Sequence, residues 1–233
     1  MAKRQTPPFT SRLTRLETVL VLLWLPVHVL GLPYLLYWFG VSDAVELNFW
    51  TYGIGTLFML IVGFRFLRKD FDALAERPLR ILLQILVCYG SMLLMNMAVS
   101  GILSLFVDAL ANPNNGYVMD LIDDQYGKMS AAAIFLAPIV EEMIFRAGIF
   151  GTIRRKSRWL AYVVSMLLFS LYHVWGYAIG DATSWLYLLQ YLPAAYLLCR
   201  CYEYCDCIWG SMFLHMLINF LSLQALQLLE NLL

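Results

Sequence analysis

The chain alternates between long apolar stretches and short connections that carry most of its charges. A helix needs about 20 apolar residues to cross the hydrocarbon core of a bilayer. Seven stretches come close to this requirement: 14–39, 46–67, 79–107, 129–151, 159–179, 184–200 and 208–229. No internal repeat or low-complexity tract separates them. The pattern therefore predicts an all-α, polytopic transmembrane helical bundle of about seven spans, forming a single membrane-embedded domain over residues 1–233.

The composition indicates a lipid environment. Hydrophobic residues make up 61% of the 233 residues and charged residues 14%, whereas a soluble domain averages about 25% charged residues. No block of basic residues is longer than a short connection and the net charge is zero, so we expect no nucleic-acid partner. The first apolar run continues past Tyr37, which is too long for the apolar region of a cleavable signal peptide. We therefore expect it to remain as the first span.

Basic residues are concentrated in alternate connections. They precede the first span, join the second to the third, and follow the fourth and the sixth. These connections hold 14 of the 16 Lys and Arg residues: Lys3, Arg4, Arg12, Arg15, Arg65, Arg68, Lys69, Arg77, Arg80, Arg154, Arg155, Lys156, Arg158 and Arg200. The acidic segment 120–124 lies in an opposite connection. Because basic connections stay on the cytoplasmic side, we expect a cytoplasmic N-terminus and an external C-terminus.

Four of the five cysteines fall within the nine-residue segment CRCYEYCDC. Their C-x-C spacing differs from the C-x2-C pattern of most zinc knuckles. We expect Cys199, Cys201, Cys205 and Cys207 to lie reduced in a loop at the membrane edge, where acylation is open to them. A structural metal site is the alternative.

Ionisable side chains within spans are costly and indicate functional sites by default. Six residues qualify: His28, Glu141, Glu142, Arg146, His173 and His215. The structural interpretation is favoured for His28, because Pro26 and Pro33 leave backbone carbonyls to which a histidine could bond.

The fourth span contains both glutamates and the arginine, in APIVEEMIFRAGIFG. Glu142 and Arg146 are four residues apart and share a helix face, which favours an ion pair. Glu141 is rotated by about 100° from Glu142, so a purely structural ion pair leaves it unexplained and it becomes the candidate general base. Pro138 removes one backbone hydrogen bond next to these residues, and Gly148 would let a neighbouring helix approach closely.

Two further spans add polar residues at a similar depth. Phe169 and His173 are four residues apart, as are His215 and Asn219. At 1.5 Å per residue, Glu141 and Asn219 lie roughly 16 Å from the cytoplasmic ends of their spans, His173 roughly 20 Å and His215 roughly 10 Å. Independent structural residues have no reason to converge in this way.

In this order and on separate spans, Glu-Glu-x-x-x-Arg, Phe-x-x-x-His and His-x-x-x-Asn resemble the motifs of the CPBP family of intramembrane proteases. That family comprises CAAX prenyl endopeptidases and bacteriocin-processing enzymes and was formerly called the Abi family. The resemblance covers about residues 129–229, the expected catalytic core. It implies a conical helical bundle with a cavity open towards the cytoplasm. It also implies that Glu141 and His173 activate water while His215 and Asn219 face the scissile carbonyl.

The leading hypothesis is an intramembrane endopeptidase of a bacterial plasma membrane, acting on a membrane-associated or lipidated peptide or protein. Its candidate catalytic residues are Glu141, Glu142, Arg146, His173, His215 and Asn219. A non-proteolytic scaffold or bacteriocin self-immunity protein of the same fold is the alternative. A proton or ion pathway is a third reading, but a relay would spread its groups in depth.

The chemistry of water activation leaves two possibilities. Glu141, His173 and His215 form a donor set that catalytic zinc sites use. The chain lacks the His-Glu-x-x-His helix that sets two ligands one turn apart, and each histidine comes from a different span. We therefore favour a glutamate-type hydrolase without a cofactor, with zinc as the alternative.

Overall fold

The computed structural model describes residues 9–109 and 111–230, and its regular structure is entirely helical there. Lys3 and Arg4, which entered the orientation argument, lie outside the described residues. The bounds are α1 Arg15–Trp38, α2 Ala44–Val62, α3 Phe64–Glu76, α4 Pro78–Leu103, α5 Pro113–Asp124, α6 126–154, α7 Arg158–Ala178, α8 Leu188–Cys205 and α9 Ile208–Glu230. A short 3-10 helix, Ala182–Tyr187, precedes α8. The predicted all-α membrane bundle is confirmed.

Helix α6 occupies the centre of the bundle. Every residue from 140 to 151 is buried, whereas the outer helices turn leucines and aromatic side chains outwards, as lipid contact requires. Helix α1 packs against the later half of α6, α2 packs against its first half, and α8 packs between α4 and α7. A polar site carried by α6 is therefore enclosed by protein on all sides.

Two π-helical segments interrupt α6, at Ala132–Leu136 and Met143–Phe150. The first ends two residues before Pro138, which cannot donate a backbone hydrogen bond. Carbonyls in this wider turn are available to other helices. Thr56 Oγ1 donates to the Leu136 carbonyl at 3.1 Å, and this bond fixes α2 against α6.

Five of the seven predicted spans form helices that are long and apolar enough to cross a membrane: Arg15–Trp38, Ala44–Val62, Pro78–Leu103, Arg158–Ala178 and Ile208–Leu228. The predicted spans 129–151 and 184–200 are helical too, within α6 and α8, but they are not among these five. Within 129–151, helix α6 carries three charged residues and two π-helical segments. Helix α8 carries Arg200 and Glu203 in its last turns. Both are surrounded mainly by protein, so they need fewer lipid-compatible residues.

Gly148 has the role that its size predicts. A Cβ atom at this position would lie 3.1 Å from Leu22 Cδ2 and 3.2 Å from Val21 Cγ1 of α1. These distances are tighter than ordinary packing contacts, so the missing side chain lets α1 approach α6.

An N-terminal segment, residues 9–14, closes the end of the bundle that carries the basic residues. Asp206, at a left-handed φ of 48°, accepts hydrogen bonds from the backbone N–H groups of Thr10 and Ser11 at 2.7 and 2.8 Å. Tyr202 donates to the Ser11 carbonyl at 2.8 Å. Asp70 of α3 accepts from Ser11 Oγ and from the Ile208 N–H. These bonds connect the segment to α3, α8 and α9.

The expected position of the cysteine cluster was wrong. Cys199, Cys201 and Cys205 lie within α8 rather than in a loop, and Cys207 follows directly. All four are buried, because α8 packs between neighbouring helices along its whole length and cysteine behaves as a small hydrophobic residue there. No group of three His, Cys, Asp or Glu residues in the described part of the chain is arranged to hold a metal ion.

Asp70 lies outside the spans and gives the fold a pH dependence. Burial raises the pKa of its carboxyl to about 6 from 3.8, against the lowering effect of its hydrogen bonds from Ser11 and Ile208. Between these values the folded chain holds a proton that the unfolded chain has released. The free energy of unfolding therefore falls as pH rises, by up to about 3 kcal/mol.

We expect Asp70→Asn to remove this slope, because an amide oxygen still accepts both hydrogen bonds. Unfolding in detergent, measured between about pH 4 and pH 7, should show a steeper loss of stability in the parent than in the variant. Asp72→Asn, which changes an exposed carboxylate on the same helix, is the control. Parallel profiles for the parent and Asp70→Asn would contradict this assignment.

Candidate active site

A cavity of about 790 Å³ lies beside α6 and is lined by residues from most of the helices. Four of the six candidate residues contribute to its wall: Glu141, His173, His215 and Asn219. Glu142 and Arg146 lie behind the wall and are fully buried. The candidates thus divide into a group that faces the cavity and a pair that supports it.

Glu142 is the centre of the supporting pair. Its Oε1 lies 3.1 Å from Arg146 Nη1, as the four-residue spacing predicts. The same oxygen accepts a hydrogen bond from His215 Nδ1 at 2.9 Å. Ser211 Oγ donates to Oε2. A carboxylate buried away from water needs this number of partners, and these bonds fix α9 against α6.

Arg146 has further partners on two other helices. Its guanidinium stacks on the Phe169 ring of α7, with Cζ 4.1 Å from the ring centre. Nη2 lies 3.5 Å from the Ala195 carbonyl of α8. Phe169, recognised in the sequence only as part of a motif with His173, thus provides the apolar face on which the buried cation rests.

Glu141 has a different environment from its neighbour. Its Oε1 accepts a hydrogen bond from Tyr52 OH at 3.3 Å, and Tyr52 OH lies 2.9 Å from Tyr172 OH. Its Oε2 is buried without a hydrogen-bond partner in the described residues. It lies 3.7 Å from His173 Nε2 and 3.8 Å from His215 Nε2. These distances are too long for direct hydrogen bonds and suit a bridging water.

Both tyrosines are site residues that the sequence argument missed. Neither belongs to a recognised motif, and a tyrosine within a span is ordinary. One signal was available: Tyr172 directly precedes His173, so the two residues must lie on adjacent faces of α7.

The orientation of His173 is set by its own helix. Its Nδ1 lies 2.9 Å from the Phe169 carbonyl. Because a carbonyl only accepts, Nδ1 carries the hydrogen, and Nε2 of the neutral ring presents a lone pair to the cavity. The ring also stacks on Tyr191 of α8 at 4.6 Å between centroids, which limits its rotation.

Asn219 joins the site through the first π-helical segment of α6. Its Nδ2 donates to the Ala133 carbonyl at 2.7 Å. An amide nitrogen carries two hydrogens, so one of them remains for a ligand in the cavity.

His28 also lines the cavity. The predicted hydrogen bond to a freed backbone carbonyl is not made by its Nδ1, which is buried without a partner in the described residues. Its ring packs on Tyr52 at 4.8 Å between centroids. His28 therefore lies next to Tyr52, the tyrosine that donates a hydrogen bond to Glu141. Its Nδ1 does not bond to a carbonyl at the kink of α1.

Comparison with known proteins gives consistent matches. Residues 126–221 match the family described as type II CAAX prenyl endopeptidase Rce1-like. The chain is 32% identical over 164 residues to UPF0177 protein YajF of Lactococcus lactis, an alignment that covers 66% of the chain and 72% of that protein. It is 33% identical over 96 residues to UPF0177 protein YxdF of the same organism, covering 41% of the chain and 49% of that protein. No solved structure matches the chain.

Disrupting the buried ion pair of Glu142 and Arg146 should strongly lower the stability of the fold. Arg146→Met keeps most of the side-chain volume but leaves Glu142 as a buried charge without its counter-ion. We expect the free energy of unfolding to fall by about 3–5 kcal/mol, measured by denaturation in detergent. Arg154→Ala, which removes a partly exposed partner of Glu203, should cost less than about 1 kcal/mol.

A double variant tests the cause of this loss. Arg146→Met combined with Glu142→Gln no longer contains a stranded charge, so it should be more stable than Arg146→Met alone. If the double variant is equally or more unstable, packing rather than charge pairing explains the effect.

Proposed function

This chain belongs to the CPBP family of CAAX-type intramembrane proteases, and from that premise we propose that it is an endopeptidase that hydrolyses a peptide bond within the bilayer. The substrate is a membrane-associated or lipidated peptide or protein. The observation that carries the proposal is the arrangement of Glu141 and His173 around one shared space in the cavity wall.

Glu141 Oε2 and His173 Nε2 are both hydrogen-bond acceptors and lie 3.7 Å apart. A water between them donates one hydrogen to each, which leaves an oxygen lone pair directed at a substrate. This is the polarisation that general-base catalysis of hydrolysis needs. Tyr52 supports it by binding the other carboxylate oxygen, so that Oε2 remains directed at the water.

His215 and Asn219 stabilise the tetrahedral intermediate. Water adds to the scissile carbonyl carbon, its proton passes to Glu141 or His173, and the carbonyl oxygen becomes an oxyanion. The second Asn219 N–H donates to this oxyanion. His215 faces it through Nε2, while its Nδ1 is hydrogen-bonded to Glu142. Collapse of the intermediate returns the proton to the leaving amine, and fixed donors of this kind lower the barrier.

A zinc-dependent hydrolase is the second candidate chemistry. Glu141, His173 and His215 are zinc-binding residue types. The Nδ1 atoms of both histidines are held by oxygen acceptors, Phe169 O and Glu142, as the nitrogens remote from a metal usually are. Bound zinc would supply Lewis acidity to a water. The glutamate mechanism is favoured because Glu141 Oε2 and His173 Nε2 are spaced for one bridging water, whereas no three His, Cys, Asp or Glu side chains in the described part of the chain are arranged to hold a metal ion.

The non-catalytic alternative is a scaffold or bacteriocin self-immunity protein of the same fold. Such a protein needs the ion pair of Glu142 and Arg146 for stability. It has no requirement for a second buried carboxylate, Glu141, that faces a cavity with one oxygen left without a hydrogen-bond partner in the described residues. An ion pathway is disfavoured because the polar side chains converge at one site instead of forming a chain across the bundle.

The general-base assignment is tested by Glu141→Gln. Loss of the base should lower the turnover of a cleaved peptide by about 10²- to 10⁴-fold, while helical content and stability in detergent stay close to those of the parent. Glu46→Gln, which changes a carboxylate in the first turn of α2, should keep the parent turnover. Full activity of Glu141→Gln on a peptide that the parent cleaves would overturn the assignment.

Metal analysis separates the two chemistries. We expect purified active protein to contain less than stoichiometric zinc and to retain its turnover after exhaustive chelation, since carboxylate and imidazole can activate water together. One zinc per chain, with activity lost on its removal and regained on its return, would establish the metalloenzyme instead.

A further inference from the structure

We propose that Arg80, Arg200 and Tyr204 bind the headgroup of an anionic phospholipid, in the leaflet that surrounds the end of the bundle carrying the basic residues. The three side chains lie where the start of α4 meets the end of α8. None of them lines the cavity beside α6. The site is therefore separate from the candidate active site, and neither proposal depends on the other.

Two guanidinium groups from different helices lie against one aromatic ring. Arg80 is in the first turn of α4, and its Cζ is 5.8 Å from the centre of the Tyr204 ring. Arg200 is one turn before Tyr204 on α8, and its Cζ is 5.2 Å from the same centre. Both distances are within the range of a cation–π contact. The ring therefore holds two positive charges near each other, although like charges repel.

No carboxylate of the described residues neutralises this pair, since neither Arg80 nor Arg200 forms an ion pair with them. The acidic residue in this part of α8 is Glu203. It is bonded to Arg154 at 2.5 Å and to Arg158 at 2.8 Å. Its charge is thus used on the side of α8 that packs against α6 and α7, and the two cations on Tyr204 are left for an external anion.

Other cations at this end of the bundle bind acceptors of the protein itself. Arg155 donates to the Leu13 carbonyl at 2.7 Å, and Lys69 donates to the Thr10 carbonyl at 3.1 Å. These bonds fasten the N-terminal segment. Because the protein supplies oxygen acceptors to these side chains and none to the pair on Tyr204, the pair is distinguished from the rest of the basic surface.

Aromatic side chains place the pair at the depth of lipid headgroups. Trp159 is in the first turn of α7, Trp209 in the first turn of α9 and Tyr204 in the last turn of α8. Trp159 is 74% exposed and Tyr204 48%. Trp and Tyr concentrate at the boundary between headgroups and hydrocarbon. A cation held on Tyr204 is therefore at the level of the lipid phosphates, towards which Arg side chains extend.

The surface that continues from Arg80 along α4 is apolar. Leu83 and Val87 follow Arg80 by three and seven residues, so the three side chains share one helix face. Leu83 is 54% exposed and Val87 62%. Acyl chains can lie along this strip while their headgroup reaches Arg80. A phospholipid matches both parts of the surface, whereas a soluble phosphate would leave the strip uncovered.

A phosphate diester also matches the donors. Each guanidinium presents a planar fork of N–H groups that fits two phosphate oxygens. One headgroup bonded to both arginines would reduce their mutual repulsion and connect α4 to α8. A lipid with a net negative charge is favoured, because the ammonium of a zwitterionic headgroup would lie close to two cations.

Lipid binding is measured by native mass spectrometry of the full-length protein in detergent, titrated with phosphatidylglycerol. We expect one tightly bound lipid per chain. Phosphatidylcholine with the same acyl chains should bind at least about tenfold more weakly. Arg80→Gln combined with Arg200→Gln should weaken the binding of phosphatidylglycerol by at least about tenfold, because two cations at the headgroup are removed.

Arg65→Gln combined with Arg68→Gln is the matched control. It removes two exposed cations from α3, and neither of them contacts Tyr204. Phosphatidylglycerol should bind this variant within about threefold of the parent, because exposed charges away from the headgroup are screened. Equal weakening by the two double variants would show a diffuse attraction to the whole basic surface and would overturn the site.

Thermal unfolding in detergent provides a second readout that does not depend on the mass spectrometer. Without added lipid, Arg80→Gln combined with Arg200→Gln should unfold at the temperature of the parent, since neither arginine has an internal ion pair to lose. Added phosphatidylglycerol should raise the unfolding temperature of the parent and of the α3 control, because a ligand that binds the folded state stabilises it. The same rise in Arg80→Gln combined with Arg200→Gln would contradict the assignment.

Inorganic phosphate distinguishes a lipid site from a site for a soluble anion. An equal concentration of inorganic phosphate should leave the binding of phosphatidylglycerol within about twofold, because it gains nothing from the apolar strip. Displacement of the lipid by inorganic phosphate would overturn the lipid assignment. None of these measurements uses a peptide substrate, so their outcome is independent of whether the chain cleaves one.

Discussion

The fold depends on one buried ion pair, because charges placed in the centre of a lipid-embedded bundle must be neutralised within the protein. Glu142 and Arg146 lie on the central helix and are inaccessible to solvent. Their remaining bonds reach Ser211 and His215 of α9 and Ala195 of α8. Satisfying these two charges therefore fixes the positions of three helices. The bond from His215 to Glu142 also orients the His215 ring towards the cavity. The ion pair that stabilises the bundle therefore also positions a side chain of the candidate site.

Two adjacent glutamates have different roles because helix geometry turns them to different faces. Glu142 points into packed protein and is surrounded by donors. Glu141 points at the cavity, where Tyr52 binds one of its oxygens and leaves the other without a partner. The π-helical segment before Pro138 helps to connect the site, since its carbonyls accept from Asn219 and Thr56. An interruption that weakens α6 as an isolated helix thus provides its attachment points to α9 and α2.

The sequence predicts those parts of the structure that follow from rise per residue and from the cost of buried charge. The spacing of Glu142 and Arg146 predicts their ion pair, and the similar depths of Glu141, His173 and His215 predict that they could meet. Tyr52 and the buried cysteines were not predictable in this way. Tyr52 reaches Glu141 from another helix, 89 residues earlier in the chain, and no periodic pattern encodes such a contact. The cysteine segment also contains Arg200 and Glu203, and the pairing of Glu203 with Arg154 and Arg158 lets the helix continue through it.

Hydrolysis within a bilayer needs water as well as a peptide, and both must reach Glu141 without exposing the buried ion pair. The layer of Phe9, Phe150 and Tyr202 excludes water from one end. The cavity beside Glu141 is lined by several amide side chains, and the described residues of its wall include no Lys or Arg that would compete for the carboxylate. In the proposed function, water reaches Glu141 through this cavity. The proposed mechanism then needs a single water held between the acceptors Glu141 Oε2 and His173 Nε2, which lie 3.7 Å apart.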